Sequence, residues 1–120
     1  MRYIIFCFLF ICSFSFSGNI PLKDSFHSIK RLRCTSNFDC SNKAWLYATA
    51  LESEGYSCNI VIVKTRRLIL HAIVKCGDMY YDPTFGFSSK NLSRFGKYRF
   101  SISLKDAPKW GGEFVCDINF

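Results

Sequence analysis

The sequence predicts an α+β domain in which one helix packs on a small antiparallel sheet. Three observations carry this. Apolar residues recur with helical spacing between Cys40 and Leu51. Runs rich in β-branched residues then follow one another at short intervals between Cys58 and Asp82. The helix precedes the strands instead of alternating with them, which is the order of α+β and not of α/β chains.

The chain has 120 residues, enough for one domain. Its first segment is set apart. Arg2 gives a positive start, Tyr3 to Cys12 is an unbroken apolar run, and Ser15-Phe16-Ser17 offers small residues at the positions a signal peptidase reads. Residues 1–17 are therefore read as a secretory signal peptide, cleaved after Ser17, and residues 18–120 as a single domain. The alternative is an uncleaved anchor. The run is short for a spanning helix, which needs about 20 residues. The expected location is secreted or periplasmic, with membrane contact only through this segment.

After a polar lead-in, a short helix is expected near Ser25 to Arg33. The main helix starts near Asp39 or Cys40, where Asn37 and Asp39 are good N-cap types. Ala44, Tyr47, Ala48 and Leu51 share one face, widened by Trp45 and Leu46. Gly55 suits the C′ position. Cys40 thus lies in the first helical turn. Cys58 to Lys64 is the first strand, and Thr65-Arg66-Arg67 a turn. Leu68 to Lys75 is apolar on both faces apart from His71, as a central strand is. A tight turn in Cys76-Gly77-Asp78 leads to Met79 to Asp82, which Pro83 ends. Tyr98, Phe100, Ile102 and Leu104 alternate with polar residues as a later strand, and Glu113 to Ile118 reads as a last one.

The sequence holds seven cysteines. Loss of Cys7 and Cys12 with the signal leaves Cys34, Cys40, Cys58, Cys76 and Cys116, an odd number. Exported cysteines usually pair, and a domain this small buries only about two-thirds of its unfolded surface, so crosslinks help it. Four of the five can form two disulfides in any of three connectivities, which leaves one free or reactive. Cys40 as a disulfide partner of Cys34 or Cys58 is the competing reading.

The formal charge is +7, one less without Arg2, spread over Lys30 to Arg33, Arg66-Arg67 and Arg94 to Lys105. A basic surface attracts anionic partners such as a cell-surface component. It is equally read as a solvated face. Export argues against nucleic acid. His27 and His71 show no short-spaced ligand pairing with the cysteines, so no metal and no cofactor are expected. His27 reads as a surface residue.

A thiol nucleophile needs a favoured thiolate, a base in reach and a group that orients the base. The helix start favours the thiolate of Cys40, and its unpaired amides form half of an oxyanion site. His71 on a central strand needs a polar partner. Asp82 is that partner on hairpin geometry. A two-residue turn at Cys76-Gly77 sets His71 directly opposite Asp82, with Cβ atoms about 4.5–5.5 Å apart. A turn at Gly77-Asp78 makes them diagonal neighbours on the same face. Taken singly, Cys40 suits a disulfide, His71 a satisfied core residue and Asp82 a turn before proline.

Phe38-Asp39-Cys40-Ser41-Asn42-Lys43-Ala44, Ala50 to Tyr56, His71-Ala72-Ile73-Val74 and Tyr81-Asp82-Pro83-Thr84 together resemble the transglutaminase-like superfamily of cysteine enzymes, its bacterial cysteine peptidases in particular. The resemblance spans Asn37 to Phe87. It implies a papain-like core, with Cys40 as nucleophile, His71 as general base and acid, Asp82 as the orienting carboxylate and Asn37 as the oxyanion candidate. It implies a thiol hydrolase that attacks an amide or isopeptide carbonyl of a peptide or protein through a thioester. The chain is expected to act as a monomer. The alternative function is a non-catalytic, disulfide-stabilised basic binding module on the same scaffold, using Arg66-Arg67, Phe85, Phe87 and Trp110.

Overall fold

A computed structural model describes residues 20–35, 38–67 and 69–107. The expected signal segment, Asn37, Trp110, Cys116 and the strand expected at Glu113 to Ile118 lie outside the described residues. The architecture is α+β: α1 (Lys23–Arg31) and α2 (Cys40–Ser53) precede β1 (Cys58–Lys64), β2 (Leu70–Cys76), β3 (Met79–Asp82), β4 (Phe87–Ser89) and β5 (Lys97–Ser103). The strands form one antiparallel sheet in the order β4-β3-β2-β1-β5, so β2 is its central strand. Among the described residues no helix is long and apolar enough to cross a membrane.

Helix α2 has a cap at each end. The Asp39 side chain accepts from the Ser41 and Asn42 amides at 3.0 and 3.4 Å, and Asn42 Oδ1 accepts from the Asp39 amide at 2.9 Å. This reciprocal pair is a capping box. At the other end Tyr56 N–H donates to the Leu51 carbonyl and Gly55 N–H to that of Glu52, with Gly55 at φ 98°. These are the two bonds of a Schellman motif, and glycine takes its left-handed position without strain. Helix α1 begins two residues before the expected start. Its N-cap, Leu22, sits in the left-handed region at φ 50° and offers no side-chain cap. Asp24 in its first turn and Lys30 and Arg31 in its last complement the helix dipole instead. Phe26 meets Tyr47 edge-on at 5.0 Å, and Tyr47 Oη donates to the Pro21 carbonyl at 2.7 Å, which docks α1 on α2.

Both faces of the sheet are covered. On one, Ile60, Ile62, Ala72, Val74 and Tyr81 pack with Ala44, Tyr47, Ala48 and Leu51 of α2 and with Phe26 and Ile29 of α1. On the other, Val61, Val63 and Ile73 pack with Phe95, and Tyr80, Phe87 and Leu92 close the edge. Phe87 stacks on Phe95 at 4.7 Å. Truncating a fully buried residue such as Tyr47 to alanine costs on the order of 3–5 kcal/mol by analogy with other large aromatic cores.

The strand limits refine the expectation, and the β2–β3 turn takes the second of its two expected placements. β2 runs from Leu70; Leu68, its expected start, lies outside the described residues, and the Thr65 amide donates to the Ile69 carbonyl at 2.9 Å. It extends to Cys76, which pairs with Cys58 in register and is disulfide-bonded to it, Cα to Cα 4.5 Å. The β2–β3 turn falls at Gly77-Asp78, pairing Cys76 with Met79 and Val74 with Tyr81. His71 and Asp82 are therefore diagonal, not directly opposed. Gly77 at φ 60° takes the positive angle that the first position of a type II′ turn requires. On β5, a register shift between Ile62 and Val63 sets Tyr98 opposite Val63, and Tyr98 is 52% exposed while Phe100 and Ile102 pack on the core.

Candidate active site

The capping box fixes where Cys40 sits. It is the first residue of α2, and its side chain is fully buried. Asp39 occupies the amides of Ser41 and Asn42, and the Lys43 amide donates to the Asp39 carbonyl at 3.1 Å. The Cys40 amide makes no hydrogen bond among the described residues, so it remains a donor beside its own sulfur. Cys40 is also the free cysteine among those described, since Cys34, Cys58 and Cys76 are all disulfide-bonded. The competing reading of Cys40 as a disulfide partner of Cys34 or Cys58 is not what the structure has.

His71 is buried on β2. Its Nε2 lies 2.9 Å from Asp82 Oδ2, and the Cys40 side chain is near enough to the ring to favour its charged form. Asp82 ends β3 and is buried in turn. Its Oδ1 accepts from the Thr84 and Phe85 amides at 3.0 and 3.1 Å, and its carbonyl from the Gly86 amide at 2.7 Å. Pro83 ends the ladder, and the chain turns back around the carboxylate. One oxygen is thus held by backbone, and the other is left for the imidazole. The Phe85 ring packs against His71 at 5.2 Å and is 38% exposed, so it forms the outer wall.

Burial disfavours the charged imidazole, but the charge and hydrogen bond of Asp82, joined by Cys40, outweigh it and raise the His71 pKa to about 10. The raised pKa favours the protonated ring, which is a donor at both nitrogens. The three residues singled out from sequence, Cys40, His71 and Asp82, are brought together. The oxyanion candidate Asn37 lies outside the described residues.

Lys43 is a neighbour that sequence reasoning passed over. It lies one turn beyond Cys40 and is only 2% exposed. Its Nζ donates to the Lys30 carbonyl at 3.0 Å near the end of α1. Desolvation lowers its pKa, against the opposing pull of Asp82. The signal was its position: three residues after Cys40, it falls on the buried face of α2 beside Ala44 and Tyr47. Thr84 Oγ1, next to the Asp82 turn, is buried without a hydrogen-bond partner among the described residues.

No protein-family model matches the chain, and no curated protein or solved structure matches it either.

Proposed function

We propose that the protein is an exported thiol hydrolase of the transglutaminase-like type, with a papain-like core, acting on an amide or isopeptide bond of a peptide or protein. The observation that supports this reading is the buried His71 ring, held 2.9 Å from the Asp82 carboxylate and close to the Cys40 side chain. A paired imidazolium favours the thiolate as attacking species. Cys40 Sγ attacks the carbonyl carbon, a C–S bond forms, and the π electrons move to oxygen. The Cys40 amide, at the start of α2, is the donor offered to that developing charge. His71 Nδ1–H protonates the leaving amine as the C–N bond breaks, giving a thioester. Water then attacks the thioester while His71 takes its proton, and the acid leaves as the thiolate is restored.

One observation favours the second reading, a non-catalytic binding module in which Cys40, His71 and Asp82 are an internal polar strut. Cys40 has no exposed surface, so an acyl group reaches its sulfur only if neighbouring elements shift. The test separates the two. Native protein is treated with a peptide-like electrophile, and adducts are mapped by mass spectrometry. The enzyme reading expects a single adduct on Cys40 whose rate falls at least about a hundredfold in His71→Ala, the scale of losing a general base. Equal rates in both proteins, or no adduct on the native chain, remove the enzyme reading. Unreduced, denatured protein should take up iodoacetamide on Cys40; failure to do so makes Cys40 a disulfide residue and ends it.

A further inference from the structure

At the far end of β1 from its disulfide, the sheet carries a cavity of about 450 Å³ lined by Lys64, Thr65, Arg66, Ser93, Gly96 and Lys97. Lys64 and Lys97 are directly opposed partners on β1 and β5. Like charges in that position repel and destabilise a sheet. Arg66 adds a third cation at the rim. No carboxylate lines the cavity, and none of the three forms an ion pair among the described residues. The chain is drawn tight here. A Cβ on Gly96, at φ 150°, would lie 2.6 Å from the Lys64 carbonyl, so β5 approaches β1 more closely than a side chain allows. Thr65 Oγ1 accepts from the Ile69 amide at 3.4 Å, and its own proton is left to donate. The cavity lining is mainly apolar, as lysine and arginine stems supply, and their flexible charged tips can swing to meet a bound anion.

We propose that this cavity binds a phosphate-type oxyanion, taking a phosphate group or its sulfate analogue between Lys64, Arg66 and Lys97. A doubly charged oxyanion turns the Lys64–Lys97 repulsion into two charge-assisted contacts, and the Arg66 fork can bind it bidentately. The source is either a free ion or the headgroup of an anionic lipid, and both present the same oxygens.

The experiment measures thermal unfolding and amide NMR shifts of the purified protein with inorganic phosphate against sodium chloride at matched ionic strength. Saturable shifts at Lys64 to Arg66 and at Gly96-Lys97, with a rise in Tm, are expected. Lys64→Gln/Lys97→Gln should weaken binding by about tenfold or more, as loss of charged donors does. Without phosphate, the same variant should be at least as stable as the native protein, because the repulsion is gone. Arg66→Gln gives an independent reading from a turn residue. A second arm uses vesicles of phosphatidylglycerol in phosphatidylcholine. Vesicle binding that phosphate displaces and Lys64→Gln/Lys97→Gln abolishes identifies the headgroup, and phosphate binding without it identifies the free ion; both support the site. The proposal is overturned by three results. One is no Tm rise with phosphate at matched ionic strength. Another is an equal loss in a Lys23→Gln/Lys105→Gln control, which would make net charge the cause. The third is a double variant that is less stable without phosphate.

Discussion

The two ends of the β1–β2 hairpin are held by different kinds of force. At one end Cys58 and Cys76 face each other in register and are joined covalently. At the other end Val63 pairs with His71, and Lys64 lies beside Leu70 on one strand and Lys97 on the next. Nothing covalent holds that second end. His71 is fixed there by one carboxylate, with the Cys40 thiol close by, and the adjacent lysines have no counter-charge among the described residues. The difference separates scaffold from chemistry. A crosslink resists changes in protonation, so it belongs where nothing needs to react. Hydrogen bonds to ionisable groups respond to protons and ligands, and they collect at the end where His71 and the cations lie.

Breaking the reactive end should have the largest effect. Under the proposed thiol-hydrolase reading, Cys40→Ala is expected to lower turnover on an amide substrate by about 10⁴-fold or more while leaving the fold intact, because a nucleophile and its base act as a unit. Steady-state kinetics with circular dichroism on the same sample checks both parts. A variant that keeps near-native turnover would assign the chemistry elsewhere.

Asp82→Asn should come next, acting on stability. It removes the charge that holds a protonated imidazole in a buried site, and such single-sided losses cost about 3–5 kcal/mol. The pH dependence follows from the direction of the His71 shift. A raised pKa means the folded state binds a proton that the unfolded chain gives up near pH 6.5. The stabilisation is complete below that pH, shrinks above it, and is gone once pH passes about 10. Denaturant midpoints measured from pH 6 to 11 should therefore fall in the native protein, and the fall should flatten in Asp82→Asn. An unchanged slope would mean that Asp82 does not control the proton on His71.

The crosslinked end should respond more gently. Cys58→Ser/Cys76→Ser opens a link spanning 18 positions, worth about 3 kcal/mol in the chain-entropy account. Urea unfolding should show that loss, while the His71 imidazole resonances and their titration stay in place. A perturbed His71 signal would show that the two ends are coupled. The smallest effect is expected at Thr84→Val. Its hydroxyl is buried without a partner among the described residues, so exchange for a methyl group should raise stability by up to about 1 kcal/mol. A loss of stability would mean that this hydroxyl is satisfied in solution.

Much of this contrast was legible in the sequence, for reasons that differ by element. Helix α2 announced itself at both ends: Asp39 is a short polar acceptor before an apolar periodic run, and Gly55 closes it. β1 and β3 matched their runs because β-branched residues and Pro83 mark the limits. The juxtaposition of His71 and Asp82 followed from hairpin parity, which survives a shift of the turn by one residue. The turn itself was readable too, since glycine in front of aspartate suits type II′, but two placements were left open. β4 escaped because Phe87-Ser88-Ser89 is too short to show alternation; it exists because β3 offers it an edge and Phe95 a ring to stack on. The burial of Lys43 escaped because its amine is satisfied by a carbonyl of α1, a tertiary contact that no local pattern encodes. The exposure of Tyr98 escaped for the same kind of reason, since a bulge is set by the neighbouring strand.

The depth of Cys40 bears on how such a chain matures. Disulfide exchange proceeds by attack of one sulfur on another and needs an open approach to both. Once α2 docks on the sheet, the Cys40 sulfur has no surface left to approach. In the seated state its thiol is shielded from mixed disulfides until neighbouring elements shift, the same movement that an acyl donor requires. Seating of the helix thereby protects the free thiol from mispairing, because a bond closed through Cys40 would take its sulfur away from His71 and Asp82.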